Sequence, residues 1–305
     1  MGRLTGRLVC FGAKLAGARA LRHVRLAEAF RSCFLRYDGL KRRRLERAMR
    51  VEEDAGLLRI SLGGRTIYWP SRDSLPRVVQ FYLETFDPAN PHCFESGRVT
   101  VAEGDVVLDV GAAEGFFALK VRDRASKIVL FEPARAWRRC LEKTFEVELA
   151  AGRMVLAPVL LGCADAEVAF VEDSNDPGLA HILRSGEDAA GARPVPMLTI
   201  DSFVAGSGLN RVDFIKADVE GAELDLLKGA EGTIARDRPK MAITTYHHHD
   251  HAAQLVDRIR KIDPSYRCQA RGVVWFTGGP RPVIAHFRPE GKPGTVAPAS
   301  RPRRS

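Results

Sequence analysis

The stretch Val107-Leu108-Asp109-Val110-Gly111-Ala112-Ala113-Glu114-Gly115 constrains the fold of this 305-residue chain more than any other part of it. The apolar run over 105–110 predicts a buried strand, a glycine-bounded turn breaks it, and Phe116-Phe117-Ala118-Leu119-Lys120-Val121 starts a helix at once. Strand, glycine turn and helix in that order is how an α/β protein brings backbone N–H groups up to a ligand at the carboxyl end of its first strand. A dinucleotide-binding turn requires G-x-G-x-x-G, whose second glycine clears room for a pyrophosphate. Here the spacing is Gly111-x-x-x-Gly115, with carboxylates at Asp109 and Glu114. Carboxylates repel a pyrophosphate and attract an ammonium or sulfonium group, so these residues favour S-adenosylmethionine over NAD.

A second acid lies where the first predicts it. Lys127-Ile128-Val129-Leu130-Phe131 reads as a short apolar strand ending at Glu132-Pro133. A carboxylate closing the second strand, about 20 residues after the first turn, is placed to grip a ribose diol. Pro133 fixes φ and opens the next helix, where its missing N–H costs nothing. Taken singly, Asp109 reads equally well as a turn cap and Glu132 as an ordinary acid before a proline. Their spacing after two apolar strands favours the cofactor reading.

From about Thr100 to Asp263 strand and helix patterns alternate, the signature of a parallel sheet covered by helices. Strands are predicted over 105–110, 127–131, 154–160, 212–217 and 240–246, and 266–276 with 282–287 as a terminal antiparallel pair. The fourth strand ends in Asp218-Val219-Glu220-Gly221-Ala222-Glu223. Beside the first strand, its carboxyl end lines the ligand crevice, which directs Asp218 and Glu220 toward the reactive end of the cofactor. Acids in a first helical turn also complement the helix dipole whatever the function, and Glu223 fits that reading best. The fifth strand runs into Tyr246-His247-His248-His249-Asp250-His251. Neutral imidazoles with a carboxylate suit a metal, but neighbouring histidines on extended chain face opposite ways, so no metal is assigned to the histidine cluster. A general base at His247, with Asp218 or Glu220 as second choices, is the reading adopted. Asp250 is placed to cap a helix over 252–262.

The ends differ from the middle. Residues 1–50 hold fourteen Lys/Arg against three acids, residues 288–305 five against one, and the remainder of the +9 chain is acidic by six charges. An acidic body argues against nucleic acid as a partner, because a groove tracking phosphates needs clustered Arg and Lys. In the basic N-terminal segment Leu26, Phe30, Cys33, Phe34 and Tyr37 share one helical face, with Arg22, Arg25, Arg31 and Arg36 on others. A helix docked on the domain is the first reading, a peripheral contact with anionic membrane the second, and an organellar transit peptide the third. Residues 51–98 read as a hairpin about Gly63-Gly64-Arg65 and a helix over 75–86, forming a lid before the sheet. The boundaries are therefore 1–50, 51–98, 99–287 for the catalytic domain and 288–305 for a basic tail too poor in apolar residues to order itself. No apolar run reaches membrane-spanning length, and six scattered cysteines read as reduced thiols of a cytoplasmic protein.

From about Val99 to His286 the chain resembles the FkbM-type family of S-adenosylmethionine-dependent methyltransferases. The resemblance lies in Val107-Leu108-Asp109-Val110-Gly111-Ala112, Phe131-Glu132-Pro133, Leu198-Thr199-Ile200-Asp201-Ser202-Phe203, Ile215-Lys216-Ala217-Asp218-Val219-Glu220-Gly221-Ala222-Glu223, Leu227-Lys228-Gly229-Ala230 and Ile243-Thr244-Thr245-Tyr246-His247. It implies a Rossmann-like class I methyltransferase fold, an α/β architecture with a seven-stranded, mostly parallel sheet, helices on both faces and an antiparallel last strand. It also implies methyl transfer to a hydroxyl of a sugar, glycolipid or secondary metabolite. By that resemblance Asp109, Gly111, Ala112, Ala113, Glu114 and Gly115 shape the methionine pocket, Glu132 and Pro133 the ribose site, Gly162 the adenine contact, and Asp218 the reactive end. The acceptor is expected to be a small molecule or glycan framed by the loop over 172–194 and the hairpin. A non-catalytic cofactor- or glycan-binding protein on the same fold, peripheral to a membrane, is the alternative.

Overall fold

The computed structural model describes residues 3–34, 39–172, 180–183, 186, 191–276 and 279–291. Arg36 and Tyr37, the turn Asn175-Asp176-Pro177-Gly178 of the expected acceptor loop, and the tail beyond Gly291 lie outside the described residues.

Three helices open the chain, α1 (Arg3–Leu15), α2 (Leu26–Phe34) and α3 (Gly39–Ala48), followed by a meander of β1 (Arg50–Asp54), β2 (Leu57–Leu62) and β3 (Arg65–Trp69), then α4 (Val78–Phe86). The α/β unit continues through β4 (Val106–Val110), α5 (Phe116–Val121), β5 (Lys127–Phe131), α6 (Arg135–Thr144), α7 (Glu146–Ala150) and β6 (Met154–Ala157). A side sheet is inserted next, from β7 (Leu160–Leu161), β8 (Ala166–Val171), β9 (His181–Ile182) and β10 (Arg193–Leu198). The chain then returns through α8 (Ile200–Ser207), β11 (Phe214–Ala217), α9 (Glu223–Lys228), α10 (Glu231–Asp237), β12 (Lys240–Thr244) and α11 (His251–Ile262). It closes with β13 (Tyr266–Arg271), a small hairpin of β14 (Val274–Phe276) and β15 (Gly279–Arg281), and β16 (Ile284–Pro289).

The central sheet has seven strands in the order β13-β16-β12-β11-β4-β5-β6. Strands β12, β11, β4, β5 and β6 pair in parallel, while β16 runs antiparallel to both β12 and β13. This is the Rossmann-like class I methyltransferase arrangement, with the reversed last strand. Its inner strands are nearly continuous apolar runs because both faces are covered. On one face Val107, Ile128, Leu130 and Phe214 pack with Leu83, Phe116, Phe117 and Trp137. On the other Leu108, Val129, Ile215 and Ile243 pack with Ile200, Leu227, Ile234 and Val256. The meander leans on α6, where Trp69 and Trp137 meet edge to face at 5.0 Å.

Several predicted strands have different ends. The strand expected over 154–160 stops at Ala157, and Leu160–Leu161 joins the side sheet instead. The run over 172–194, expected as a loop, includes β9 and leads into β10, which pairs antiparallel with β8. Pro194 and Pro196 disguise β10, since proline cannot donate to a ladder. Here β7 reaches only Met197 and Leu198, so the other edge at both prolines needs no donor. The strand over 266–276 breaks at Arg271, and the residues after it form the β14–β15 hairpin.

The N-terminal segment packs against the β13 edge. Val24 bridges Ala270, Ala270 N donates to His23 O at 3.0 Å, and Gly272 N donates to Glu28 Oε1 at 3.1 Å. Leu21, Val24 and Ala29 bury themselves against Ala270. Of the expected face of α2, Cys33 is buried beside Ala29, while Leu26 and Phe30 stay half exposed. All six cysteines are free thiols, and among the described residues no helix is long and apolar enough to cross a membrane.

Candidate active site

A cavity of about 520 Å³ opens where β4, β5 and β11 end. Gly111, Ala112, Ala113 and Glu114 form one wall, and Glu132 with Pro133 the next. Lys216, Asp218, Val219, Glu220 and Tyr246 face them, with His92, Phe81 and Glu84 from the segment before the sheet. Leu160, Leu161, Phe170, Ile182 and Leu183 make the far end apolar.

The turn after β4 is held from beneath. Parallel pairing sets Asp109 beside Lys216 across β4 and β11, and Lys216 Nζ lies 3.0 Å from Asp109 Oδ1. Lys216 also donates to the Gly111 carbonyl, so one ammonium ties strand and turn together. Burial pushes the Asp109 carboxyl above its usual range even with Lys216 alongside. Burial opposes the Lys216 charge, but Asp109, Asp218 and Glu114 outweigh it and raise its pKa. Gly111 has φ +71°, and a Cβ there would come within 2.1 Å of the Asp218 carbonyl, so the tips of β4 and β11 approach this closely only through glycine.

Glu132 projects from the tip of β5 and is 5% exposed. Its Oε2 accepts from Ala113 N at 2.8 Å and its Oε1 from Ala134 N at 2.7 Å. Each oxygen keeps a further lone pair, as a gripped diol requires. Burial pushes its carboxyl up to about 7, and that of Glu114 to about 8. Ala113 and Glu220 both hold positive φ, at 43° and 52°, although neither is glycine. Such backbone persists where surrounding contacts over-determine it, and both residues line the cavity.

At the opposite end the acids gather around His247. Its Nδ1 is 3.0 Å from Glu223 Oε1, and its Nε2 is 3.3 Å from Glu220 Oε2 and 3.9 Å from Asp218 Oδ1. Burial opposes a charge on this ring, but the carboxylates prevail and push its pKa up to about 10. Burial raises the Asp218 carboxyl as well. Thr244 Oγ1 lies 3.0 Å from both Asp218 Oδ1 and Glu223 Oε1.

Four expected residues sit elsewhere than foreseen. Asp109 does not line the cavity; it is fully buried beneath the turn, paired with Lys216. Gly115 turns into the core, where a Cβ would meet Leu141 at 2.6 Å and Phe145 at 2.8 Å. Gly162 backs onto Met197, and Leu161 reaches the cavity in its place. His247 lies behind the wall, and an imidazole held protonated at neutrality has no lone pair to act as a base. The remaining expected residues, Gly111, Ala112, Ala113, Glu114, Glu132, Pro133, Asp218 and Glu220, share one cavity. The histidines lie not on extended chain but in the bend and turn between β12 and α11: His248 pairs with the Gly221 carbonyl, His249 is exposed, and His251, at the start of α11, is fully buried with Nε2 3.6 Å from Glu223 Oε2. Sequence reading assigned no part to Lys216, His92 or Tyr246. Lys216 had a visible signal, a charge in an apolar strand matching Asp109 in its neighbour.

The fold and this acid-walled cavity at the carboxyl ends of its strands define a methyltransferase-class α/β protein. The chain belongs to the FkbM methyltransferase family, whose domain matches residues 109–269, more than half its length. Over an alignment 161 positions long the chain is 27% identical to the AMB antimetabolite synthetase AmbE of Pseudomonas aeruginosa, covering 41% of this chain and 8% of that one. The chain thus spans less than a tenth of that curated relative. The crystal structure of methyltransferase FkbM from Methylobacillus flagellatus is 22% identical with a TM-score of 0.47, covering 71% of this chain and 55% of that one.

Proposed function

We propose that the chain transfers the methyl group of S-adenosylmethionine to a hydroxyl oxygen of a small-molecule or glycan acceptor. The observation that carries this reading is Glu132, fixed by two backbone N–H donors at the tip of β5 and facing the glycine turn across one cavity. The residues present fit the cofactor's chemistry. Glu132 would accept from the ribose diol, Glu114 would face the ammonium, and Leu160, Leu161, Phe170 and Ile182 would enclose the adenine. When bound, the cofactor supplies an electrophilic methyl group and leaves as a neutral thioether.

The acceptor enters at the end bounded by His92, Asp218, Glu220 and Tyr246. Holding its oxygen in line with the methyl group supplies most of the acceleration. The departing hydroxyl proton passes to the Glu220 carboxylate and on to solvent. His247, paired with Glu220 and Glu223, positions these acids.

Thermal unfolding tests the cofactor. S-adenosylhomocysteine at a hundredfold its Kd should stabilise the protein by about 2.7 kcal/mol, while NAD should leave the transition in place. A transition unmoved by S-adenosylhomocysteine overturns the reading. Incubation with labelled methyl donor and hydroxylated extracts then tests transfer, and binding without transfer would favour a non-catalytic role.

A further inference from the structure

The neighbourhood of His247 is crowded with carboxylate oxygens, of which Glu223 Oε1 already accepts from Val219 N at 3.2 Å and Gly221 N at 3.4 Å. Thr244 has one hydroxyl proton, yet two carboxylate oxygens lie 3.0 Å from it. The His247 side chain is only 10% exposed, and neither ring nitrogen completes a hydrogen bond despite the nearby carboxylates. Glu223 is fully buried, and its Oε2 has no hydrogen-bond partner. Three carboxylates, of Asp218, Glu220 and Glu223, surround a single imidazole. The buried ammonium of Lys216 is engaged with Asp109 and the Gly111 carbonyl.

An excess of oriented carboxylate lone pairs is what a cation satisfies, and a metal ion bound at His247 would displace a proton from the imidazole to gain its nitrogen lone pair. Asp218, Glu223 and His247 each offer one ligand atom, and these atoms lie within 4.8 Å of one another. Ligands about 2.0–2.2 Å from a shared ion stand roughly 3–4.4 Å apart, close to the 3.0 Å of His247 Nδ1 from Glu223 Oε1 and the 3.9 Å of His247 Nε2 from Asp218 Oδ1. We infer that the chain binds one divalent metal ion between Asp218, Glu223 and His247, at the acceptor end of the cavity. Two carboxylates with one imidazole form a predominantly oxygen donor set, which suits manganese better than the thiolate-loving metals. Thr244 orients two of the ligands, and His92, with Nε2 3.9 Å from Asp218 Oδ2, borders the open side. Of the three ligands only Asp218 lines the cavity, with His92 beside it, so the ion would meet the acceptor on the Asp218 side. An acceptor with two adjacent oxygens, a vicinal diol or a hydroxy acid, would chelate it, and the ion would make the hydroxyl proton easier for Glu220 to take. The ion's use rests on the methyl-transfer reading; its binding does not.

The probe is Mn2+, titrated into chelator-stripped full-length protein and followed by the paramagnetic resonance of the free ion. One ion per chain is expected. Asp218→Asn should abolish saturable binding, and Thr244→Val, which keeps all three ligands, should weaken it about tenfold. Urea unfolding confirms that each variant is folded; if Asp218→Asn is not, Thr244→Val and His247→Gln decide. No binding by folded wild-type protein, or binding indifferent to these variants, overturns the inference. S-adenosylhomocysteine titrated into the same samples separates the two proposals. Mn2+ bound without it sinks the cofactor reading alone, and the converse sinks the ion alone.

Discussion

Lys216→Met should destabilise the protein by about 3–5 kcal/mol in urea unfolding, the usual cost of stranding one member of a buried ion pair. Methionine matches the length of lysine but leaves the fully buried Asp109 carboxylate without its counter-charge at 3.0 Å. It also removes the donor to the Gly111 carbonyl, so the turn loosens and ligand binding falls with stability. A second change, Asp109→Leu in the Lys216→Met background, should recover most of the lost stability, because an apolar pair no longer carries an uncompensated charge. Ligand binding should stay impaired, since the turn still lacks its tether. A loss below about 1 kcal/mol for Lys216→Met would match an exposed pair and remove Lys216 from the foundation of the site.

Glu132→Gln should separate stability from binding. The folded carboxyl titrates near 7 against an ordinary 4.5, a raised value caused by burial. A raised folded pKa means stability that is complete below the ordinary value and is lost as pH climbs through 7. Glutamine does not titrate, so its stability relative to wild type should improve between pH 5 and pH 8 by up to about 3 kcal/mol. A constant penalty of about 1–3 kcal/mol underlies this trend, because the amide NH2 cannot accept from Ala113 N or Ala134 N as a carboxylate oxygen does. Affinity for S-adenosylhomocysteine should move the other way. Wild type should bind more tightly as Glu132 ionises, whereas Glu132→Gln should bind at least about tenfold more weakly at pH 8 and without that slope. Parallel stability curves for the two proteins would show that Glu132 does not titrate in this window.

Much of this site was legible because its parts depend on local sequence. Gly111 marks the turn, Glu132-Pro133 marks the end of the second strand, and Asp218 and Glu220 follow the apolar strand beside the first. What sequence did not reveal was which way side chains face. Asp109 lies within a strand, and only its register against Lys216 shows that it points beneath the turn. His247 looked like a base because an isolated imidazole titrates near neutrality. Its environment is built by Glu223 and Glu220 from another strand's turn, and no local pattern announces that meeting. The side sheet was missed because Pro194 and Pro196 imitate a loop, and a strand with one free edge tolerates them.

The N-terminal arm alters how the molecule meets its neighbours. A sheet that ended at β13 would present a row of free backbone donors and acceptors, a template for pairing with a second molecule. Val24 and His23 occupy part of that row, and Glu28 takes the Gly272 N–H just past the strand. The basic segment thus lies as a selvedge along this border of the sheet, taking up a backbone donor that an open edge would leave unpaired.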